Sequence, residues 1–178
     1  MIDSQASSNN VGSLAVASDT PSFRRIDHIA IAVIDLEQAI TFYTSVLGFN
    51  LVRRLEIKGK RTGMFSAELE LNNIKFVLCQ GTEPESQVSL LIQHHGPCVA
   101  HIALEVDDVH ATVDELKKKG LLFDTSVIGT GTALEQAFTS RDRNSGVALE
   151  FIKRDQEKGF LQSNVQELFD QLEQSGSY

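Results

Sequence analysis

The sequence predicts an α+β fold in which one βαβββ unit is used twice. Two observations carry that prediction. "DHIAIAVIDLEQA" at 27–39 and "AHIALEVDDVHAT" at 100–112 match position by position at an offset of 73 residues. Each is then followed by three strand-like stretches bounded by Gly, Asn and Asp turn signals. A chain of 178 residues is long enough for one sizeable core, so the two copies are expected to share a single folded unit.

In chain order, residues 1–24 are rich in Ser, Asn, Asp and Ala and read as a mobile tail. Their one apolar run, "LAVA", is shorter than a signal peptide's hydrophobic region and has no basic residue before it. Residues 25–155 hold the folded domain, with modules at about 25–80 and 98–153. Each module opens on alternating apolar positions, as a half-buried strand does, and passes through Asp35 or Asp108 as the N-cap of a helix. The first helix spans roughly 36–47 and stops at Gly48; the second spans roughly 109–119 and ends in three lysines before Gly120, with cations at the negative end of the dipole. The strands after the first helix are "NLVRRLEIK", "RTGMFSAELEL" and "NIKFVLCQ". Those after the second are "LLFDTSVIG", "LEQAFTSRD" and "GVALEFIKR". Residues 156–175 form a last helix, with Val165, Leu168, Phe169 and Leu172 as an apolar stripe, Asn164 as a cap and Glu167 as its capping-box partner.

Composition excludes some partners. With 16 basic and 24 acidic residues the formal charge is −8, which disfavours nucleic acid and anionic membrane. No stretch approaches the roughly 18 apolar residues of a membrane span, and the two cysteines, Cys79 and Cys98, lack metal-ligand spacing or a disulfide framework. A cytoplasmic protein acting on small molecules is the expectation.

The duplicated βαβββ unit resembles the vicinal oxygen chelate superfamily, which includes glyoxalase I, methylmalonyl-CoA epimerase and ring-cleaving dioxygenases. The resemblance implies a half-open, eight-stranded barrel with the two first strands side by side near a pseudo-two-fold axis. His28 and His101, equivalent under the repeat, would then face one cavity. A lone strand histidine is ordinarily a hydrogen-bonded structural residue, but a matched pair with a nearby acid is a metal-site pattern. The acid is Glu150, isolated in the apolar strand "GVALEFIKR", where an unpaired buried carboxylate would cost several kcal/mol or take up a proton. Glu150 stands 49 residues after His101, and the same offset from His28 reaches Val77, which cannot bind a metal. Three protein ligands, two imidazoles and one carboxylate, leave about three octahedral positions open, the set associated with non-haem iron and oxygen chemistry. His94 and His95, read as a solvent-facing turn, and His110, on an exposed helix face, are given no role.

The second module and the final helix, with "GPCVAHIALEVDD", "LEQAFTS", "VALEFIKR" and "KGFLQSNVQELFDQLE", look like the C-terminal catalytic domain of the 4-hydroxyphenylpyruvate dioxygenase family, over about residues 25–173. The resemblance implies Fe(II) held by His28, His101 and Glu150, a 2-oxo acid and O2 as substrates, and a final helix closing over the site. It places the family's two substrate-orienting glutamines on Gln87 and Gln136, its pocket aromatics on Phe138 and Phe160, and a pocket serine on Ser66, with Asn164 at the lid. It departs at Ala100, where the family has Gln, near Thr82, where it has Asn, and at Val165, where it has an aromatic. These positions help hold the substrate's ring end, so the resemblance carries the metal and the 2-oxo acid further than it carries the 4-hydroxyphenyl group. The family's N-terminal domain has no counterpart in these residues, and a second copy of the chain, a homodimer, is expected to cover the surface it would have covered. Two other readings stay open: a metal-dependent epimerase or isomerase, and a non-catalytic small-molecule-binding protein of the resistance type.

Overall fold

A computed structural model of the chain describes residues 21–155 and 162–175. Module one comprises β1 (Phe23–Ala32), α1 (Leu36–Thr41), β2 (Asn50–Lys58), β3 (Gly63–Leu71) and β4 (Ile74–Gly81). Helix α1 runs on as a single π-helical turn over Phe42–Val46. After α2 (Gln87–His95), module two comprises β5 (Cys98–Val106), α3 (Val109–Lys118), β6 (Leu134–Phe138) and β7 (Leu149–Arg154), and α4 (Gln162–Ser175) follows. Asp35 and Asp108 cap their helices as expected, each accepting a hydrogen bond at 2.9 Å from the backbone N–H three residues on.

The strands form a seven-stranded mixed sheet in the order β2-β3-β4-β1-β5-β7-β6, curled into a half-barrel. The two first strands, β1 and β5, pair antiparallel at its centre, with Ile29 opposite Ile102, His28 opposite Ala103 and Ala30 opposite His101. That register is the signature of a two-fold axis through the Ile29–Ile102 pair. Outward from it, Ala30 pairs with Val77 across the parallel β1–β4 ladder and Ala103 with Glu150 across the parallel β5–β7 ladder. The two modules thus share one register at the centre of the sheet.

Period-two alternation divides the sheet's faces. On one face Leu36 and Ile40 of α1 pack with Phe49, Leu69 and Leu78, and Val109 and Val113 of α3 pack with Ala137 and Phe151. Each fully buried large side chain in these clusters contributes about 1.5–3 kcal/mol. The other face carries His28, Ala30, Val77 and Glu150 into the hollow of the half-barrel.

Several expectations are corrected. The barrel has seven strands, not eight: residues 121–129 touch the sheet only at two isolated bridges, Phe123 with Thr139 and Ile128 with Gln136. The cause is a side chain, because Thr125 Oγ1 takes the N–H of Phe138 at 2.9 Å, the donor that a continuous ladder would have used. The strand expected from Leu134 stops at Phe138, and β1 begins at Phe23, inside the segment read as tail; residues 1–20 lie outside the described residues. His94 and His95 end a helix and do not form a turn, and Gln87 is that helix's first residue, after the Ser86 cap. Of the last helix, residues 156–161, including Phe160, lie outside the described residues. No helix among the described residues is long and apolar enough to cross a membrane.

Helix α4 ties both modules together. Val165 and Phe169 bury against Ile57 of β2. On the module-two side, Asn164 Nδ2 donates to Leu134 O at 2.6 Å, Glu167 accepts from Gly129 N at 3.2 Å and Gln171 accepts from Ser126 N at 2.9 Å. Asn164 and Glu167 are therefore anchors of the helix to the 126–134 loop, where the sequence read them as a capping box. Gly129 makes that approach possible. Its φ is +71°, and a Cβ there would lie 2.2 Å from Asn164 Nδ2 and 2.4 Å from Leu134 O. Gly129→Ala is expected to cost about 1–3 kcal/mol and to loosen α4 selectively. Denaturant unfolding and amide exchange over 162–175 would measure the two effects, and unchanged exchange there would contradict this account of the helix's attachment.

Candidate metal centre

His28 and His101 enter the hollow from β1 and β5, two positions apart across the axis, and Glu150 enters from β7 next to β5. Their ligating atoms form a small triangle: His28 Nε2 to His101 Nε2 is 3.3 Å, His28 Nε2 to Glu150 Oε2 3.3 Å and His101 Nε2 to Glu150 Oε2 3.2 Å. The corners of such a triangle lie about 2 Å from its centre, the length of a metal–nitrogen or metal–oxygen bond. Glu150 is 0% exposed and His28 2%. Despite that burial neither carboxylate oxygen of Glu150 has a hydrogen-bond partner; the imidazole nitrogens come close without hydrogen-bond geometry. A buried, unsatisfied carboxylate costs several kcal/mol unless a cation meets it. The donor set and the orphaned oxygens fit a divalent metal ion, and among the described residues these three side chains make the metal-ligating cluster.

The electrostatics agree. In the metal-free site burial opposes the charge on His28, but Glu150 and Asp27 outweigh it and raise the imidazole to about 9. Burial likewise opposes ionisation of Glu150, yet the two histidines bring it down to about 2. His101 moves the other way, lowered chiefly by its own burial. One positive charge is thus held where a cation would sit.

The sequence reading missed Asp27. A β-bulge between Ile26 and His28 leaves Asp27 as the extra residue of β1, so its carboxylate reaches back to accept from His28 Nδ1 at 2.8 Å. Arg154, at the end of β7, clamps the same carboxylate through Nε and a terminal nitrogen, each at 3.0 Å. Burial works against its charge, but those bonds hold the Asp27 carboxyl well below the usual range. The acid fixes the tautomer of His28 and turns Nε2 toward the triangle. The signal was an acid adjoining the first histidine, where the second has Ala100. Asp27→Asn is expected to weaken metal binding about 10–100-fold with little change in fold; metal titration by calorimetry would check it, and unaltered affinity would remove Asp27 from the site.

The other expected residues divide. Ser66, Gln136 and Phe138 line the cavity beside the triangle. Register makes Ser66 and Gln136 symmetry mates, since Ser66 pairs with Cys79 and Gln136 with Ile152, each two positions beyond the Val77 or Glu150 corner. Gln136 is buried with both amide atoms unpartnered, and Phe138 packs edge-on to the His101 ring with centroids 5.1 Å apart. Gln87 lines an adjoining cavity that shares His101 and Phe138. Asn164 lines neither, being committed to Leu134 O. Val77 occupies the fourth corner, as expected, and offers no ligand.

The Glyoxalase/Bleomycin resistance protein/Dioxygenase superfamily model matches residues 25–151. The chain is 29% identical over 166 residues to 4-hydroxyphenylpyruvate dioxygenase of Pseudomonas aeruginosa, covering 75% of this chain and 46% of that protein. It is 33% identical over 96 residues to human mitochondrial methylmalonyl-CoA epimerase, covering 53% of each. A variant of 4-hydroxymandelate synthase from Streptomyces coelicolor superposes with a TM-score of 0.77 at 21% identity, over 87% of this chain and 55% of that one, a likeness of fold. The chain thus spans about half the length of the dioxygenase and of the synthase. With the repeat, the central strand pair and the superfamily match over most of its length, this chain belongs to the Glyoxalase/Bleomycin resistance protein/Dioxygenase superfamily.

Proposed function

We propose that the chain is an Fe(II)-dependent dioxygenase that consumes a 2-oxo acid and O2 with loss of CO2. The observation that supports it best is the composition of the triangle: two imidazoles and one carboxylate, with Val77 at the corner that could have supplied a fourth ligand. A bound ferrous ion would supply O2 activation and a two-point anchor for the acid's carboxylate and keto oxygens. The chain's own residues do the rest. Glu150 contributes a single negative charge, so a divalent ion keeps a net positive charge for the substrate anion. Asp27 and Arg154 hold His28 in register. Gln136 and Ser66 offer hydrogen bonds to the substrate's polar end, and Phe138 with Leu168 excludes water.

Gln136 separates a functional role from a structural one. An amide buried without partners costs stability, so Gln136→Leu is expected to raise the unfolding free energy by about 1 kcal/mol while lowering kcat/KM at least about tenfold. A loss of stability would mean that the amide serves the fold.

The reading is tested by loading purified protein anaerobically with one equivalent of Fe(II) and screening aryl and branched-chain 2-oxo acids in an oxygen electrode. O2 uptake with equimolar CO2 is the expected result, and no uptake with any of them would sink the proposal. The match to methylmalonyl-CoA epimerase favours a second reading, a metal-assisted epimerase. Solvent deuterium incorporation next to a substrate carbonyl, without O2 uptake, would establish it instead.

A further inference from the structure

Behind the triangle the hollow continues into a second cavity, of about 770 Å³ including its open mouth, that runs between α2 and α4. The two cavities share Met64, Cys79, His101, Phe138 and Leu168, so a ligand anchored at the metal would project into the second one. We infer that the substrate's side chain is apolar, a branched aliphatic or unsubstituted aryl group, and that it lodges in this cavity against Val88 and Leu91 of α2 and Leu168 and Leu172 of α4. The inference rests on the 2-oxo acid reading above and adds to it the chemistry of the part that does not touch the metal.

The walls argue for it in two ways. Both helices present aliphatic side chains there, and Ala100 and Ala148 floor the space between them with methyl groups only. Most polar groups on the lining are turned to the protein. Arg141 donates its terminal nitrogens to the carbonyls of Val99, Ala100 and Gly146, Asp124 accepts from Ser140 Oγ, and Thr139 Oγ1 accepts from Leu149 N. A substrate hydroxyl placed among Val88, Leu91 and Leu172 would surrender its water without a replacement, a penalty that apolar side chains escape. Two donors on the lining, Gln87 Nε2 and Arg141 Nε, are buried without an acceptor. They make a side-chain carboxylate the competing chemistry, and the experiment must include one.

The test uses the Fe(II)-loaded protein with four 2-oxo acids: 4-methyl-2-oxopentanoate, phenylpyruvate, 4-hydroxyphenylpyruvate and 2-oxoglutarate. Binding is measured anaerobically by calorimetry and turnover by O2 uptake. The first two are expected to bind and react at least about tenfold better than the last two, the discrimination of an apolar pocket. Leu168→Gln is expected to bring that ratio toward one. Val88→Thr, of nearly the same size and at a half-buried position, is expected to improve the relative binding of the hydroxylated acid. Equal or better binding of 4-hydroxyphenylpyruvate or 2-oxoglutarate by the unaltered protein overturns the inference and leaves the proposed function standing. Failure of the metal-loaded protein to bind any of the four overturns both. A selectivity unchanged in both variants places the side chain elsewhere and also overturns the inference.

Discussion

Glu150→Leu is expected to abolish metal binding and activity together while leaving the protein folded but, in the metal-free state at neutral pH, less stable than its parent. The metal loses its one anionic ligand, so bound metal should fall from one equivalent to a level below detection and turnover by at least about a thousandfold. The fold loses a fully buried carboxylate that offsets the charge on the His28 imidazolium. Removing one partner of a buried charge pair commonly costs about 3–5 kcal/mol. Alkaline pH sharpens the comparison. The His28 imidazole, about 9 in the metal-free fold against an ordinary 6.5, owes most of its rise to Glu150 and Asp27. A raised value means that the associated stability is complete below 6.5 and is lost as pH climbs through 9. Metal-free parent protein should therefore weaken over that window, and Glu150→Leu, lacking the first partner of the imidazolium, should weaken less. Elemental analysis, O2 uptake and urea unfolding at several pH values would measure all three. A variant that retains its metal would refute the assignment of Glu150 as a ligand.

Phe169→Ala is expected to impair the site without touching the metal ligands. The ring is 2% exposed and packs with Val165 on Ile57, and it lines the cavity between α2 and α4. Truncation of a buried phenylalanine costs about 3–5 kcal/mol when the surroundings cannot collapse. α4 is held otherwise by a few hydrogen bonds and the Lys60–Asp170 pair at 3.6 Å, so the loss should fall on the helix before the sheet. The expected outcome is rapid amide exchange over 162–175, an intact metal stoichiometry and a kcat/KM at least about tenfold lower. Loss of metal along with the helix would show that α4 holds the ligands as well as the substrate.

Much of this was legible in the residues because duplication writes its evidence twice. His28, His101, the missing ligand at Val77 and the two Asp caps follow from comparing the chain with itself, and the register of the central strands repeats them; Glu150 shows as a lone acid in an apolar strand, and the stripe of α4 as helical periodicity. What escaped is what breaks the repeat or depends on contacts between distant segments. Asp27 has no counterpart at Ala100, and only a bulge turns it toward His28. The eighth strand failed because one hydroxyl, on Thr125, competes for one backbone donor, which no periodicity records. Asn164 was read as a cap because its type and place fit one; its partner, Leu134 O, lies thirty residues upstream and only folding brings it near. The helix at Gln87–His95 was missed for a simpler reason, since a single short stretch between two modules has no repeat to vouch for it.

The position of α4 in the chain also separates the candidate ligands from the helix that covers them. All three candidate ligands lie upstream of Gln162, on strands whose pairing is complete once Arg154 has been made. The geometry of the triangle is therefore set by strand pairing alone, without the final helix. An ion bound there would leave past Val165 and Leu168 of α4, so its release and the lifting of that helix should share one rate.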